Sequence, residues 1–338
     1  MTNSSVLALD IGGTKLAAGV VGEDGGTLSF LTVPTRVEEG PDACLDRLFT
    51  LGRAALTAAG VDPDEAPRAL LGCGIGCGGP LDSATGVLVA PPHLPGWLDI
   101  PITRLTREHY GLTSVLDNDG TAGAAGEWRF GAGRGTRNLV YLTVSTGVGG
   151  GFVVDGRTYR GAAGNGGEPG HITVRSDGRT CKSCGRAGCL EAYASGTSIA
   201  ERAREALARR GRGSVLADLP AHEITAADVA RAAGEGDALA TELWDETCEL
   251  LAQGLASIVN LYEPELVVLG GGVTRSGDRL LAPVRERVAR LAMGPAANAA
   301  RVVTATGGDR AGVLGAAAIA FERLAHHEGA GAPLPTLS

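Results

Sequence analysis

The chain has 338 residues, which is enough for about two domains that each bury a core. Its net charge of −8 and pI of about 5.3 argue against sequence-independent binding to nucleic acid, because such binding needs a basic surface. No basic run precedes the first apolar stretch, and Asp10 and several glycines interrupt that stretch. The sequence therefore predicts neither a signal peptide nor a membrane span, and we expect a cytoplasmic protein without membrane partners.

Residues 6–34 predict paired strands that turn at two glycines. The turn carries the sequence Asp-Ile-Gly-Gly-Thr-Lys at residues 10–15, and a second apolar run follows over 16–21. Glycines let the backbone approach a polyanion, and their exposed N–H groups can cradle phosphate oxygens. This segment is a candidate phosphate site.

The next elements lead to a pair of polar residues. We expect a helix over 42–59, a buried strand over 70–79, a proline-rich loop over 91–101 and a short strand over 114–116. Asn118 and Asp119 follow that strand, and a helix is predicted over 121–129. The pair could cap this helix, or the carboxylate of Asp119 could accept the proton of a substrate hydroxyl. The residues by themselves support both interpretations equally.

Residues 138–155 predict a second hairpin, whose turn carries Ser-Thr-Gly-Val-Gly-Gly-Gly at residues 145–151. A glycine-rich excursion over 161–189 follows. The remaining sequence predicts helices over 198–209, 225–233, 237–261, 278–292 and 312–326, and strands over 266–269 and 302–306. Strands and helices alternate, so we expect an α/β protein.

The two hairpins look like one motif used twice. Residues 9–12 and 144–147 align as an apolar, a polar, a β-branched and a glycine residue. Two such hairpins could hold a nucleotide triphosphate between two related lobes, and this plan resembles the actin, heat-shock-protein and sugar-kinase group with its actin-like ATPase (ribonuclease H-like) fold. A Walker-type loop is excluded because no lysine follows a glycine. Residues 74–79 match dinucleotide-binding spacing, but Pro80 follows where a helix should begin.

Four residues of the glycine-rich excursion predict a metal site. His171, Cys181, Cys184 and Cys189 form a set of one histidine and three cysteines. Such a set is typical of a closed structural Zn²⁺ site, which can stabilise a loop too polar to pack by itself.

In combination, these motifs resemble the ROK family, the sugar kinases and repressors named for repressor, open reading frame and kinase. The resemblance runs from Asp10 through the last helix. It rests on the following segments: 10–15, Gly-Pro-Leu-Asp at 79–82, Asn118-Asp119, 145–147, Glu168-x-x-His171, Cys-Gly-x-x-Gly-Cys-x-Glu at 184–191, and the glycines at 270–272.

The resemblance implies a role for each matching residue. Asp119 would be the general base in phosphoryl transfer from ATP. Sugar hydroxyls would be bound by Gly79, Asn118, Asp119, Glu168, His171 and Glu191. ATP would be bound by Asp10, Gly12, Gly13, Thr14, Lys15, Thr146, Gly147, Gly271 and Gly272. Asp10 would help hold Mg²⁺ through water, and Lys15 would add only positive charge. Structural Zn²⁺ would be bound by His171, Cys181, Cys184 and Cys189, with the other ring nitrogen of His171 toward the sugar.

The chain departs from the family pattern in three places. Two residues, Lys182 and Ser183, separate Cys181 from Cys184, where the family usually has one. His93 and Thr121 stand where asparagine is common, near the expected sugar pocket. Glucose, phosphorylated to glucose 6-phosphate, is therefore the default acceptor, and an N-acetylhexosamine, fructose or a sugar-like cyclitol remain open.

The resemblance also sets the expected organisation. We expect a smaller N-terminal domain over 1–118, a larger one over 119–310 with the zinc-bearing loop 164–191, and a final helix over 311–327 that packs back on the first. Residue 119 would lie at the cleft between them. A homodimer or homotetramer is implied. A sugar-responsive repressor is disfavoured because its helix-turn-helix would precede the first hairpin, and a non-catalytic sugar-binding protein because both hairpins and Asp119 are present.

Overall fold

A computed structural model describes residues 4–210 and 213–325 of the chain. The predicted helix residues 326 and 327 lie outside these ranges. The described residues form two compact units, the first made of 4–131 with 307–325 and the second lying within 132–306. Each unit contains a five-stranded mixed sheet, so the predicted α/β class with two lobes is confirmed.

The first unit is built on the sheet order β3-β2-β1-β4-β7. Its strands, numbered along the chain, are β1 (Ser5–Ile11), β2 (Lys15–Gly22), β3 (Thr27–Pro34), β4 (Gly72–Cys77) and β7 (Ser114–Asn118). The strands β1 to β3 are antiparallel, whereas β1, β4 and β7 run parallel. A separate two-stranded sheet is formed by β5 (Leu81–Asp82) and β6 (Val87–Leu88).

Helices cover both faces of this sheet. They are α1 (Pro41–Ala58), α2 (Ala66–Ala69), α3 (Ile102–Tyr110), α4 (Asp119–Arg129) and α11 (Ala311–Leu324). Because side chains alternate along a strand, Leu7 and Leu9 join the core with α1 and α3, whereas Val6 and Ala8 join the core with α4 and α11. The predicted domain boundary between residues 118 and 119 differs from the observed one, because α4 packs with α11 on the first sheet and belongs to the first unit.

Gly74 explains the glycine spacing that resembled a dinucleotide loop. A β-carbon at Gly74 would lie 1.8 Å from the main-chain oxygen of Ala316, so only glycine lets α11 pack this closely on β4. The glycine serves helix–sheet packing and not a nucleotide.

The second unit repeats the topology of the first, with the order β10-β9-β8-β11-β12. Its strands are β8 (Leu139–Val144), β9 (Val148–Val154), β10 (Arg157–Tyr159), β11 (Leu266–Gly270) and β12 (Arg301–Thr304). Again three strands are antiparallel, β8 to β10, and three run parallel, β8, β11 and β12.

The helices of the second unit pack around a core centred on α8. They are α5 (Glu191–Ala194), α6 (Gly196–Arg210), α7 (Ala226–Gly234), α8 (Ala238–Tyr262), α9 (Asp278–Leu291) and α10 (Gly294–Ala299). Thr225 and Asp228 form a capping box before α7. The sequence did not predict the helices α2, α3, α5 and α10 or the short strands β5, β6 and β10. Among the described residues, no helix is both long and apolar enough for a membrane span.

Candidate active site

Each sheet has a hairpin turn at the end of its central strand. The first turn, residues 12–14, lies between β1 and β2. The Gly12 N–H donates to the Lys15 carbonyl at 3.1 Å, and Thr14 and Lys15 are exposed. A β-carbon at Gly13 would lie 2.6 Å from the carbonyl oxygen of His93, so the loop around His93 packs directly on this turn.

The second turn, residues 145–147, lies between β8 and β9. The Ser145 N–H donates to the Gly147 carbonyl at 2.9 Å, and the Gly196 N–H donates to the Ser145 carbonyl at 2.7 Å. Ser145 and Thr146 are exposed. Both turns thus present glycine-containing main chain at the surface of their unit, an arrangement suited to phosphate oxygens.

Asp10 precedes the first turn and has a perturbed carboxyl group. Burial and, secondarily, the charge of Asp119 raise the pKa of Asp10 to about 7, and Lys15 opposes the shift. The carboxylate packs against the first turn of α11, because a β-carbon at Gly312 would lie 2.1 Å from Asp10 Oδ2. Asp10 and Asp119 therefore form a pair of interacting carboxyl groups within the first unit.

The structure separates the roles of Asn118 and Asp119. Asn118 is the N-cap of α4, and its Oδ1 accepts the Gly120 N–H at 2.8 Å. Asp119 Oδ1 accepts the same N–H at 2.8 Å, yet the Asp119 side chain remains exposed to solvent. The protein atoms around it still raise the pKa of Asp119 by desolvation, and Gly120 and His93 oppose the shift. Helix capping therefore explains the presence of Asn118, whereas Asp119 stays accessible to solvent.

His93 interacts electrostatically with Asp119, and the sequence analysis identified it only as a departure from the family pattern. Its Nε2 is 3.9 Å from Cys77 Sγ, and a β-carbon at Gly78 would lie 2.6 Å from its Cε1. Burial lowers the pKa of His93, and Asp119 opposes the shift. Gly79 lies close to Asn118, since a β-carbon at Gly79 would lie 3.5 Å from Asn118 Nδ2.

The four predicted metal ligands come together in the second unit. The ligand atoms of His171, Cys181, Cys184 and Cys189 all lie within 4.8 Å of one another. Cys184 Sγ is 3.5 Å from Cys189 Sγ, and Cys181 Sγ is 3.9 Å from His171 Nδ1. A tetrahedral site with Zn–S bonds of about 2.3 Å separates its sulfur atoms by about 3.8 Å. The residues therefore fit Zn²⁺, and the two-residue spacing after Cys181 does not remove it from the set.

The protonation of the thiols also suits a metal site. The main-chain N–H of Arg186, with its side chain, lowers the pKa of Cys184 to about 6. Burial raises the pKa of Cys189 to about 12 and also raises that of Cys181. Before a metal binds, Cys184 is therefore the thiol most readily ionised, and a cation would drive deprotonation of the other two.

Glu168 and Glu191 lie in segments that adjoin the metal ligands. Glu168 precedes the helical turn Pro169–His171. Glu191 begins α5, and its Oε1 accepts hydrogen bonds from Ser183 Oγ and, at 3.4 Å, from Cys181 Sγ. The structure thus brings predicted sugar-binding residues to the metal cluster within one unit.

A pocket of about 560 Å³ opens beside the second turn. Its volume is in the range of small-molecule sites. It is lined by Thr146 and Gly272 from the predicted set, by apolar residues such as Ala227 and Trp244, and by arginines including Arg279. Gly271 has φ +91°, and a β-carbon there would lie 2.4 Å from the Val144 carbonyl oxygen. Sequence reasoning missed the pocket walls on α6 to α9, because alanines and arginines on helices carry no motif.

A family model described as ROK family matches residues 6–323 of the chain. The chain belongs to the ROK family. A glucokinase from Thermotoga maritima is 36% identical over 326 residues, covering 96% of this chain and 99% of that protein. The structure of a ROK hexokinase from Thermus thermophilus has a TM-score of 0.79 and 36% identity, covering 95% of this chain and 99% of that one. A ROK glucokinase from Streptomyces griseus, solved with glucose and AMPPNP, has a TM-score of 0.76 and 32% identity, covering 94% and 100%.

The family prediction is therefore confirmed, and the structure groups the predicted site residues into two sets. The set of the first unit consists of Asp10, Gly12, Gly13, Thr14, Lys15, Gly79, Asn118 and Asp119. The set of the second unit consists of Thr146, Gly147, Glu168, His171, Cys181, Cys184, Cys189, Glu191, Gly271 and Gly272.

Proposed function

We propose that this ROK protein is an ATP-dependent sugar kinase that phosphorylates the primary hydroxyl of a hexose, with glucose as the first acceptor to test. The observation that carries the proposal is Asp119, an accessible carboxylate at the start of α4 beside a second carboxyl group, Asp10. Support also comes from the relatives, because the Thermotoga maritima protein is a glucokinase and the Streptomyces griseus protein was solved with glucose and AMPPNP.

Asp119 would act as the general base. As the sugar oxygen attacks the γ-phosphorus atom, the hydroxyl proton passes to the Asp119 carboxylate, and the bond to ADP breaks. The raised pKa of Asp119 makes it a stronger base than an ordinary carboxylate. Gly79, Asn118, Glu168, His171 and Glu191 would bind the other sugar hydroxyls.

The predicted ATP-binding residues include both hairpin turns. Gly12, Gly13 and Thr14 of the first turn, with the charge of Lys15, and Thr146 and Gly147 of the second would bind the phosphates. Gly271 and Gly272 would pass beneath the adenosine in the 560 Å³ pocket. Mg²⁺, held by Asp10 through water, would neutralise charge on the phosphates.

Zn²⁺ would serve structure and not the transfer step. The His171, Cys181, Cys184 and Cys189 set is closed, with four protein ligands and no position for substrate. Holding His171 in this set would fix the ring beside the sugar-binding residues.

A coupled ADP-release assay over glucose, N-acetylglucosamine, mannose, N-acetylmannosamine, fructose and a cyclitol panel tests the proposal. We expect Mg²⁺-dependent ADP release that requires a sugar, with glucose among the best acceptors. Preference for another sugar would change the acceptor and implicate His93 or Thr121. Absence of ADP release with every acceptor would refute kinase activity.

We also propose that the protein is a homodimer or homotetramer, and light scattering would measure its oligomeric state.

A further inference from the structure

Glu191 joins two segments of the second unit. Its Oε2 accepts the Val148 main-chain N–H at 2.9 Å, and Val148 directly follows the second turn. Its Oε1 accepts hydrogen bonds from Ser183 and Cys181 of the metal loop, residues 181–189. One carboxylate therefore links the metal loop to the proposed phosphate-binding turn.

Close packing makes this link specific. A β-carbon at Gly147 would lie 2.7 Å from Glu191 Oε2, so only glycine lets the carboxylate approach the turn. A second segment converges on the same point, because a β-carbon at Gly170 would lie 1.9 Å from the Val148 carbonyl oxygen. Gly170 directly precedes the metal ligand His171. Two segments next to metal ligands, at Glu191 and at Gly170, therefore both contact Val148.

Two side chains of the metal loop donate to Glu191 Oε1, and Ser183 is the one of them that is not itself a predicted metal ligand. Ser183 lies between Cys181 and Cys184 in the chain, so a metal–sulfur bond on each side would fix the position of Ser183.

We propose that Ser183 is a positioning residue through which occupancy of the metal site sets the affinity of the second turn for nucleotide phosphates. The inference rests on the proposed function, because it takes the second turn to contact the nucleotide. With metal bound, the ordered loop places Ser183 Oγ on Glu191, Glu191 holds the Val148 N–H, and the turn keeps the shape that receives phosphate oxygens. Without metal, the loop no longer fixes Ser183 and the turn loosens.

Thermodynamic linkage makes the coupling reciprocal. If bound Zn²⁺ tightens nucleotide binding by some factor, bound nucleotide must tighten Zn²⁺ binding by the same factor. The coupling can therefore be measured from either side, and one side needs no substitution in the protein.

The first experiment measures binding of Mg²⁺–AMPPNP by calorimetry to the full-length, zinc-loaded chain. We expect Ser183→Ala to weaken binding by about five- to tenfold with zinc content unchanged. Ser183→Thr, which keeps a hydroxyl, should restore binding to within about twofold. Lys182→Ala is the matched control: Lys182 is the neighbouring loop residue, but its ammonium group pairs with Glu201 and not with Glu191.

The second experiment measures zinc affinity of the unsubstituted chain by competition with a chelator, with and without Mg²⁺–AMPPNP. We expect the nucleotide to tighten zinc binding by the factor by which bound zinc tightens nucleotide binding, about five- to tenfold. Unchanged zinc affinity in the presence of bound AMPPNP would overturn the inference while leaving the kinase proposal intact. Equal affinity of zinc-loaded wild type and zinc-loaded Ser183→Ala for AMPPNP would also overturn the inference and leave the kinase proposal intact. Absence of AMPPNP binding to the zinc-loaded wild type would instead overturn both.

Discussion

The two hairpin turns occupy the same place in sheets of the same topology, yet their surroundings differ. Before the first turn stands Asp10, whose carboxyl pKa is raised to about 7. In the second turn, the position aligned with Asp10 is Ser145, which is exposed. Its hydrogen bonds in the turn are made by its main chain. The carboxylate near the second turn is Glu191, which is engaged by the Val148 N–H. The duplicated framework thus supplies similar amides twice, while the proposed general base Asp119 and the proposed Mg²⁺-binding residue Asp10 are confined to the first unit.

The largest expected effect tests that confinement directly. Asp119→Asn should lower kcat by about 10²-fold or more, because the amide cannot accept the hydroxyl proton. Sugar affinity should change little, and calorimetry with glucose would measure it. Asp46→Asn, at an exposed position on α1, is the matched control and should keep wild-type turnover. Near-normal turnover of Asp119→Asn would remove Asp119 as the base.

The packing behind the first turn is the next point to disturb. Gly312→Ala places a methyl group 2.1 Å from Asp10 Oδ2, so the carboxylate or α11 must move. We expect unfolding free energy to fall by about 1–3 kcal/mol and kcat to fall about tenfold. Denaturant unfolding and steady-state kinetics measure the two effects.

Gly294→Ala provides the control for this change, because a β-carbon at Gly294 meets no atom within 4 Å. Alanine is normally more favourable than glycine in a helix. If Gly312→Ala is destabilised while Gly294→Ala is unaffected or stabilised, the loss of stability at Gly312 comes from the clash with Asp10. A Gly312→Ala protein as stable as the control would contradict the packing argument.

The perturbed carboxyl group of the first turn should give a pH signature in stability. The pKa of Asp10 is raised from 3.8 to about 7, so between these values the folded protein holds a proton that the unfolded chain has released. This contribution to stability is complete below about pH 4 and is lost as the pH rises through about 7. Asp10→Asn should therefore be more stable than wild type by about 4 kcal/mol at pH 8 without Mg²⁺, and equal to it near pH 4.

Urea unfolding at the two pH values measures this difference. Asp42→Asn, at an exposed site on α1, should show no such pH dependence. A constant offset between Asp10→Asn and wild type would show that packing, and not protonation, explains the change in stability.

The smallest effect is expected at the second turn. The Ser145 hydroxyl makes no hydrogen bond within the part of the chain that the structure describes, and its main-chain bonds survive substitution. Ser145→Ala should therefore change kcat/KM by less than about threefold. A loss as large as that of Asp119→Asn would show that the two turns share the chemistry, and the asymmetry described above would be wrong.

Sequence reasoning recovered the features that depend on local patterns. The strand–glycine–strand repeats predicted both hairpins, and the spacing from His171 to Cys189 identified residues that the fold brings within 4.8 Å. Hydrophobic periodicity placed α1 and α8 at nearly their observed bounds. These signals are local because the chain segment that carries them also forms the structure.

Features that depend on contacts between distant segments were not predictable. The desolvation of Asp10 arises partly from α11, some three hundred residues away, and the packing of His93 on Gly13 joins two loops. The glycines at 74–79 looked like a dinucleotide loop because the sequence cannot reveal that Ala316 packs on Gly74. The hydrogen bond from Ser183 to Glu191 likewise required the fold of the metal loop.

The return of α11 to the first unit has a consequence for synthesis on the ribosome. Residues 132–306 form a contiguous stretch and can complete their core as soon as they emerge. The first unit needs α11, which is translated after residue 306, so until then the face of its sheet around Val6 and Ala8 lacks the packing that α11 provides. The first unit is therefore expected to finish folding after the second, although most of it is translated first.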